Sequence, residues 1–252
     1  MSNKKLAFTL AEILITLGII GVVAAMTIPN LISNTNGAKF RTQYKKTLTT
    51  LNEAGLLAQT QYNVNYGDMS QLCDDETPGS ILDTDSLCAI LNSTLTGTSY
   101  RKMYHMKMSN GQSYADLPFE EMPTIKNIQL RDWVFVLPDG AIVAIPDEAV
   151  NCSVPAGTSL TNAILTTSKS LGSTDERLMG LKQCIGYIDV NGIEPPNREV
   201  NCTEGETSAT PEVPCRVENN RQNLTDIYPI VFHDAIVEPA SNAAKFVLSS
   251  TK

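Results

Sequence analysis

A single acid stands at the head of the longest apolar run in the chain. Glu12 is followed, from Ile13 through Ala38, by no charged residue at all. A carboxylate placed in hydrocarbon costs about 2.5–3.5 kcal/mol at a helix centre and less near its edge, so Glu12 there needs a reason. A second group with chemical capacity is Asp189, Asn191, Asn197 and Asp226. These are hard oxygen donors of the kind calcium takes, although the same residue types serve turns equally well, and the stretch from Arg198 to Thr225 separates Asp226 from the other three. The six cysteines, Cys73, Cys88, Cys152, Cys184, Cys202 and Cys215, contain no CxxC pair, and the two histidines, His105 and His233, are isolated. A zinc site at metal spacing is therefore not expected. No Ser, His and Asp constellation and no glycine-rich phosphate loop stands out. No enzyme is expected.

The elements that must position these groups follow from periodicity. The uncharged run exceeds the roughly 20 residues that cross a bilayer core. Pro29 lacks a backbone donor and should kink the helix rather than stop it. Beyond it Phe40, Tyr44, Leu48, Leu51, Gly55, Ala58 and Tyr62 recur every three or four residues, one face of an amphipathic helix, with Arg41, Lys45, Asn52 and Gln59 on the other. Gly67 is available to cap its end. Cys73 to Cys88 reads as a disulfide-closed loop, and Leu87 to Leu95 as a short helix. The clearest β signal is Trp133 to Ile145, two apolar runs around an Asp139-Gly140 hairpin turn; Trp133 opens it as a core residue. Further strands are expected at Cys184–Val190 and Ile227–Phe232, the latter demoted by Pro229 to an edge or a broken strand. The fold class is α+β: a long N-terminal α-helix, transmembrane in its first half and amphipathic in its second, packed on an antiparallel β-sheet head.

The formal charge of −8 disfavours nucleic acid as a partner, since phosphate binding is driven by basic patches. An even cysteine count after an apolar span favours disulfides in an oxidising compartment. Local closure favours Cys73–Cys88 and Cys202–Cys215, which leaves Cys152 with Cys184.

The run Lys4-Lys5-Leu6-Ala7-Phe8-Thr9-Leu10-Ala11-Glu12, the uncharged segment after it and Pro29 resemble the N-terminus of type IV pilins and of type II secretion pseudopilins. In that family a basic leader ends at a small residue, a Phe opens the mature chain, and a Glu is its fifth residue; counted from Phe8, Glu12 is the fifth. Ala7 stands where Gly is commonest. The resemblance implies cleavage between Ala7 and Phe8 by a prepilin peptidase and methyltransferase, N-methylation of Phe8, and assembly through Glu12 and Pro29 with copies of the chain and other pilins or pseudopilins. It implies a leader over 1–7, a transmembrane assembly helix over 8–29, its amphipathic continuation over 30–62, and an extracytoplasmic head over 63–252. The protein would begin as a single-pass inner-membrane protein in lipid, head outside, and end in a pilus or pseudopilus at the cell surface or in the periplasm. A segment from Tyr187 to Asn197, with its Asn191-Gly192 turn and Pro196-Asn197, is similar to one in pseudopilin-like heads of this group. There an Asp and a strand follow soon after; here Asp226-Ile227 comes only after a polar stretch, about 198–225, that reads as an inserted disulfide loop. Some pseudopilins hold calcium in a C-terminal loop; otherwise no cofactor is expected. The competing class is a signal-anchored extracytoplasmic binding protein or adhesin that never polymerises. An ordinary secretory signal, cut near Ala24-Ala25, is opposed by Glu12 and by the length of the uncharged run.

Overall fold

The structure is a computed structural model, which describes residues 9–74, 76–113, 133–157, 160, 165–167, 170–171, 176–205, 214–218 and 223–250. Ala7 and Phe8 lie outside the described residues, as do the central parts of the 198–225 stretch. One helix, α1 (Leu10–Tyr62), carries the architecture. Its 53 residues make a rod about 80 Å long at 1.5 Å per residue, and its helical assignment passes unbroken through Pro29. Thr9 caps the start, its side chain accepting from Glu12 N. At the other end the expected glycine cap is replaced. Asn63 adopts the left-handed conformation at φ 55° and its N–H returns to Ala58 and Gln59 carbonyls, which Asn tolerates through its short polar side chain. Gly67 instead belongs to a 3-10 turn, Tyr66–Asp68, where its N–H donates to Asp234 O at 3.2 Å.

The head follows as α2 (Leu87–Thr94), β1 (Ser99–Lys102), β2 (Trp133–Val136), β3 (Ile142–Ile145), a separate pair β4 (Leu165–Thr167) and β5 (Ser170–Leu171), then β6 (Ile185–Asp189), β7 (Ile227–His233), β8 (Ile236–Pro239) and α3 (Asn242–Ser249). The main sheet has the order β1-β2-β3-β6-β7-β8 and every pairing in it is antiparallel. Gly140 takes φ 87° in the β2–β3 turn, where Asp139 Oδ1 accepts from Ala141 N. The same turn meets α1, with Lys46 Nζ 2.9 Å from Asp139 Oδ2. Trp133 is buried, as a core residue should be, and its indole N–H donates to Asp74 O at 2.8 Å.

Pro229 does not make β7 an edge. The strand lies between β6 and β8 and Pro229 pairs with Tyr187. In a strand the N–H and C=O of one residue point the same way. The Pro229 carbonyl accepts from Ala240 N, just past the end of β8 at Pro239, so the missing donor falls where no ladder bond is required.

The second half of α1 is the spine of the core. Phe40, Tyr44, Leu48, Leu51, Ala54 and Ala58 are buried against the sheet and α2. Tyr44 stacks on Tyr228 at 4.2 Å between ring centroids. At Gly55 an added Cβ would stand 2.5 Å from Ala235 O and 2.7 Å from a Tyr66 ring carbon, so the β7–β8 turn approaches the helix only because Gly55 has no side chain. Two residues depart from the periodic reading. Tyr62 is exposed. Asn52, assigned to the solvent face, is half-buried: its Oδ1 accepts from Val237 N at 2.8 Å and its Nδ2 donates to Val237 O at 3.0 Å. The side-chain amide thus supplies the pair of bonds that a further strand would give to edge strand β8.

Candidate functional site

Two places hold the groups singled out in the sequence. The first is the start of α1. Glu12 Oε2 accepts from Thr9 N and from Thr9 Oγ1, both at 2.8 Å, while Glu12 N donates to Thr9 Oγ1 at 3.2 Å. This reciprocal capping box holds the carboxylate at the helix N-terminus, where the helix dipole favours negative charge. From here to Pro29 the helix has a mean hydropathy of 2.2 and no residue of that span is buried in the subunit. One helix of the described residues is therefore long and apolar enough to cross a membrane, as an anchor or a signal sequence would be.

The second place is where β6 ends. Asp189 closes the strand, paired on one side with Ile142 and on the other with Ile227. The chain then turns. Asn191 N donates to Asp189 Oδ1 at 3.3 Å, Gly192 takes φ 75°, and Asn191 Nδ2 reaches Glu194 O and Pro195 O at 3.0 and 3.1 Å. Asn197, itself at φ 49°, donates Nδ2 to Ile193 O at 2.9 Å. The separation of Asp226 in sequence disappears in space. Its Oδ2 accepts from Asn197 N at 2.9 Å and its Oδ1 from Arg198 N at 2.7 Å, while Asp226 N donates back to Arg198 O and Asp226 O accepts from Val190 N. All four oxygen-bearing residues from the sequence reading therefore meet at one turn.

Three of the seven buried side-chain atoms without a hydrogen-bond partner among the described residues lie at this turn. Asp189 Oδ2, Asn191 Oδ1 and Asn197 Oδ1 are buried and have no hydrogen-bond partner. Asp189, Asn197 and Asp226 are all buried. Such orphans are uncommon in native proteins and ask for an explanation. Burial pushes the Asp189 carboxyl well above the usual carboxylate range, and the neighbouring Asp226 adds to this. Burial likewise raises Asp226 to about 6, against the lowering effect of the Arg198 and Asn197 N–H groups. Sequence alone did not place Tyr228 here, yet its phenol feels Asp226, Asp189 and Arg41 of α1. Tyr228 and Tyr44 read only as core aromatics, so no signal announced them.

No protein-family model matches the chain, and no curated protein or solved structure matches it either.

The remaining expected groups are placed as follows. Disulfides join Cys73 to Cys88, Cys152 to Cys184 and Cys202 to Cys215. His105 is exposed and lies against the Tyr104 ring. His233 is buried, with Nδ1 3.1 Å from Asp234 Oδ2 and Nε2 3.4 Å from Glu238 Oε2. Burial lowers its pKa, but the two carboxylates outweigh that and raise it. The tight turn after His233 could have revealed this, since it sets Glu238 diagonally across from His233 on the paired strand. Among the described residues, no group of three or more His, Cys, Asp or Glu could hold a metal ion; the β6 turn offers two Asp and two Asn instead.

Proposed function

We propose that the chain is a prepilin-type structural subunit, cleaved between Ala7 and Phe8, N-methylated at Phe8 and assembled into a type IV pilus or a type II secretion pseudopilus. The reading rests on how α1 is divided. Its second half is the spine of the head, while Leu10–Pro29 is apolar and wholly uncovered. An exposed apolar surface of that extent marks an interaction surface. Inner-membrane lipid covers it before assembly and the helices of neighbouring subunits cover it afterwards. Glu12 then meets the amine of a neighbour's Phe8, which sets the stagger between subunits. The three disulfides suit an extracytoplasmic head. The partners are copies of the chain, related subunits and the peptidase-methyltransferase. No reaction is assigned to the chain itself, and no nucleic acid, given its acidity. Mass spectrometry of the mature N-terminus from the native host tests this, with N-methyl-Phe8 expected. A start near Met26 would instead indicate ordinary secretion, and retention of Lys4 and Lys5 a tethered binding protein or adhesin.

The turn after β6 supports a second element of the reading, that the head takes calcium through Asp189, Asn191, Asn197 and Asp226. What favours it is the surplus of buried acceptors. Three oxygens without a donor, beside a second carboxylate, match the all-oxygen shell that calcium prefers. Thermal unfolding of the full chain in detergent is expected to shift upward in millimolar calcium relative to chelator, since a ligand that binds only the folded state stabilises it. Equal midpoints would remove calcium from the reading.

A further inference from the structure

The two edges of the main sheet are finished differently. At β8 the Asn52 amide takes the outward N–H and C=O of Val237. At β1, the other edge, no described residue does the same. The direction of the β1 backbone groups follows from the neighbouring hairpin. Leu137 N donates to Ala141 O, so alternation turns the N–H and C=O of Val134 and Val136 away from β3 and towards β1. Their partners are Arg101 and Ser99, which leaves the N–H and C=O of Tyr100 directed out of the sheet. The side chains around this rung are of the types that dominate protein interfaces. Tyr100 and Tyr104 are exposed, His105 lies on the Tyr104 ring, and Arg101 and Lys107 are exposed. An outward lysine is a common device for keeping further strands off an edge, but Lys102 is buried over the Trp133 ring.

Charge selects the occupant. The chain carries −8 overall, yet no acid lies between Asp85 and Asp116, and Arg101, Lys102 and Lys107 fall within that interval. Asp147 stands 4.0 Å from Lys102, and Glu194 accepts from Ser109 N. Among the described residues no ion pair involves Arg101 or Lys107. We propose that the β1 edge binds an extended acidic peptide of another protein, which adds to the six-stranded sheet beside Tyr100. In this mode of recognition main-chain bonds give affinity and alternate side chains give selection. Tyr100 lies on the Trp133 face, ring edge to ring face at 5.6 Å, and Arg101 lies on the opposite face. A peptide with a carboxylate at every second position therefore sets its acids beside Arg101 and its apolar residues on the Tyr100 ring. A second copy pairing β1 to β1 would instead bring two basic edges together, which like charges oppose. The proposal goes beyond assembly through α1 and uses none of its residues.

Fluorescence anisotropy of the full chain in detergent at low salt, with a short labelled peptide alternating Glu and Val, tests the edge. Binding is expected, and it should weaken at least about tenfold for Arg101→Glu and for a peptide with Lys in place of Glu. A fully N-methylated peptide of the same sequence keeps the carboxylates and loses the donors, and should weaken by as much. Tyr100→Pro removes an outward N–H, a change that edge strands accept, and should also lose the peptide. Equal binding of the methylated peptide would overturn strand addition and leave charge attraction alone. No binding of the Glu peptide, or equal binding by Arg101→Glu, would overturn the site. Self-association that Arg101→Glu abolishes, with no peptide bound, would give the edge to a second copy and overturn the acidic peptide as its occupant.

Discussion

Replacing Glu12 with Ala, or with Gln, is expected to lower incorporation into filaments by about tenfold or more while the melting temperature of the head stays where it was. The proposed assembly gives the Glu12 charge two partners at two stages. In the single subunit Glu12 is held by Thr9 through its backbone N–H and hydroxyl. Those bonds keep the first turn intact but leave a net negative charge at the edge of an apolar segment. In the proposed filament an amine about 4 Å away would contribute roughly 4 kcal/mol at an effective dielectric near 20, part of which would offset the desolvation of both groups. A residual gain of only about 1.4 kcal/mol already corresponds to a factor of ten. Gln separates charge from shape: it can still accept from Thr9 and fill the same volume, yet offers nothing to an ammonium. The head should be indifferent to both changes, since none of its core lies near position 12. Filaments that form normally from Glu12→Gln would show that the carboxylate's charge has no part in subunit stagger.

Much of the frame was legible because it rests on short-range rules. The heptad-like recurrence from Phe40 to Ala58 exposed the buried stripe of α1, and Asp139-Gly140 announced the β2–β3 hairpin. Local closure pointed to Cys73–Cys88 and Cys202–Cys215, which left Cys152 for Cys184, and all three pairs form. The misread positions share one cause, which is that tertiary partners changed the meaning of a local signal. Gly67 looked like a helix cap because glycine tolerates positive φ, but Asn63 satisfied the helix end first. Pro229 looked like a break because it lacks a donor, but the neighbouring strand ends just where that donor would point. Asn52 looked solvated because it is polar on a helix, but it completes the edge of a sheet strand. The site behaves likewise. Its residue types were visible, whereas the return of Asp226 to Asn197 across a long insertion has no counterpart in sequence spacing. Only the fold shows that three of its oxygens lack partners.

Asp189→Asn should therefore act in opposite directions according to what fills the site. In chelator at pH 7 the variant should melt higher than the unchanged chain. The sign follows from proton counting. In the unfolded chain an aspartate titrates near 3.9, but in the folded head burial and Asp226 hold the Asp189 carboxyl well above that range, and Asp226 itself lies at about 6. Between the unfolded and folded values the native state binds more protons than the unfolded one. Stability therefore falls as pH rises through that window and stays reduced above it. For Asp226 alone, a displacement to about 6 corresponds to roughly 3 kcal/mol of lost stability by pH 7. Asn at 189 removes the share that burial and Asp226 impose on that position. A gain of roughly 2–4 °C, what each kcal/mol is worth in a domain of this size, is expected. In millimolar calcium the order should reverse, because the unchanged chain gains a ligand that the variant, short of one carboxylate, binds less well. The two melting curves should also converge in chelator as the pH is lowered towards 4, where the native carboxyls of both chains are protonated. A variant less stable than the unchanged chain in chelator would mean that the protein itself already satisfies the Asp189 charge, and that no cation is needed to explain it.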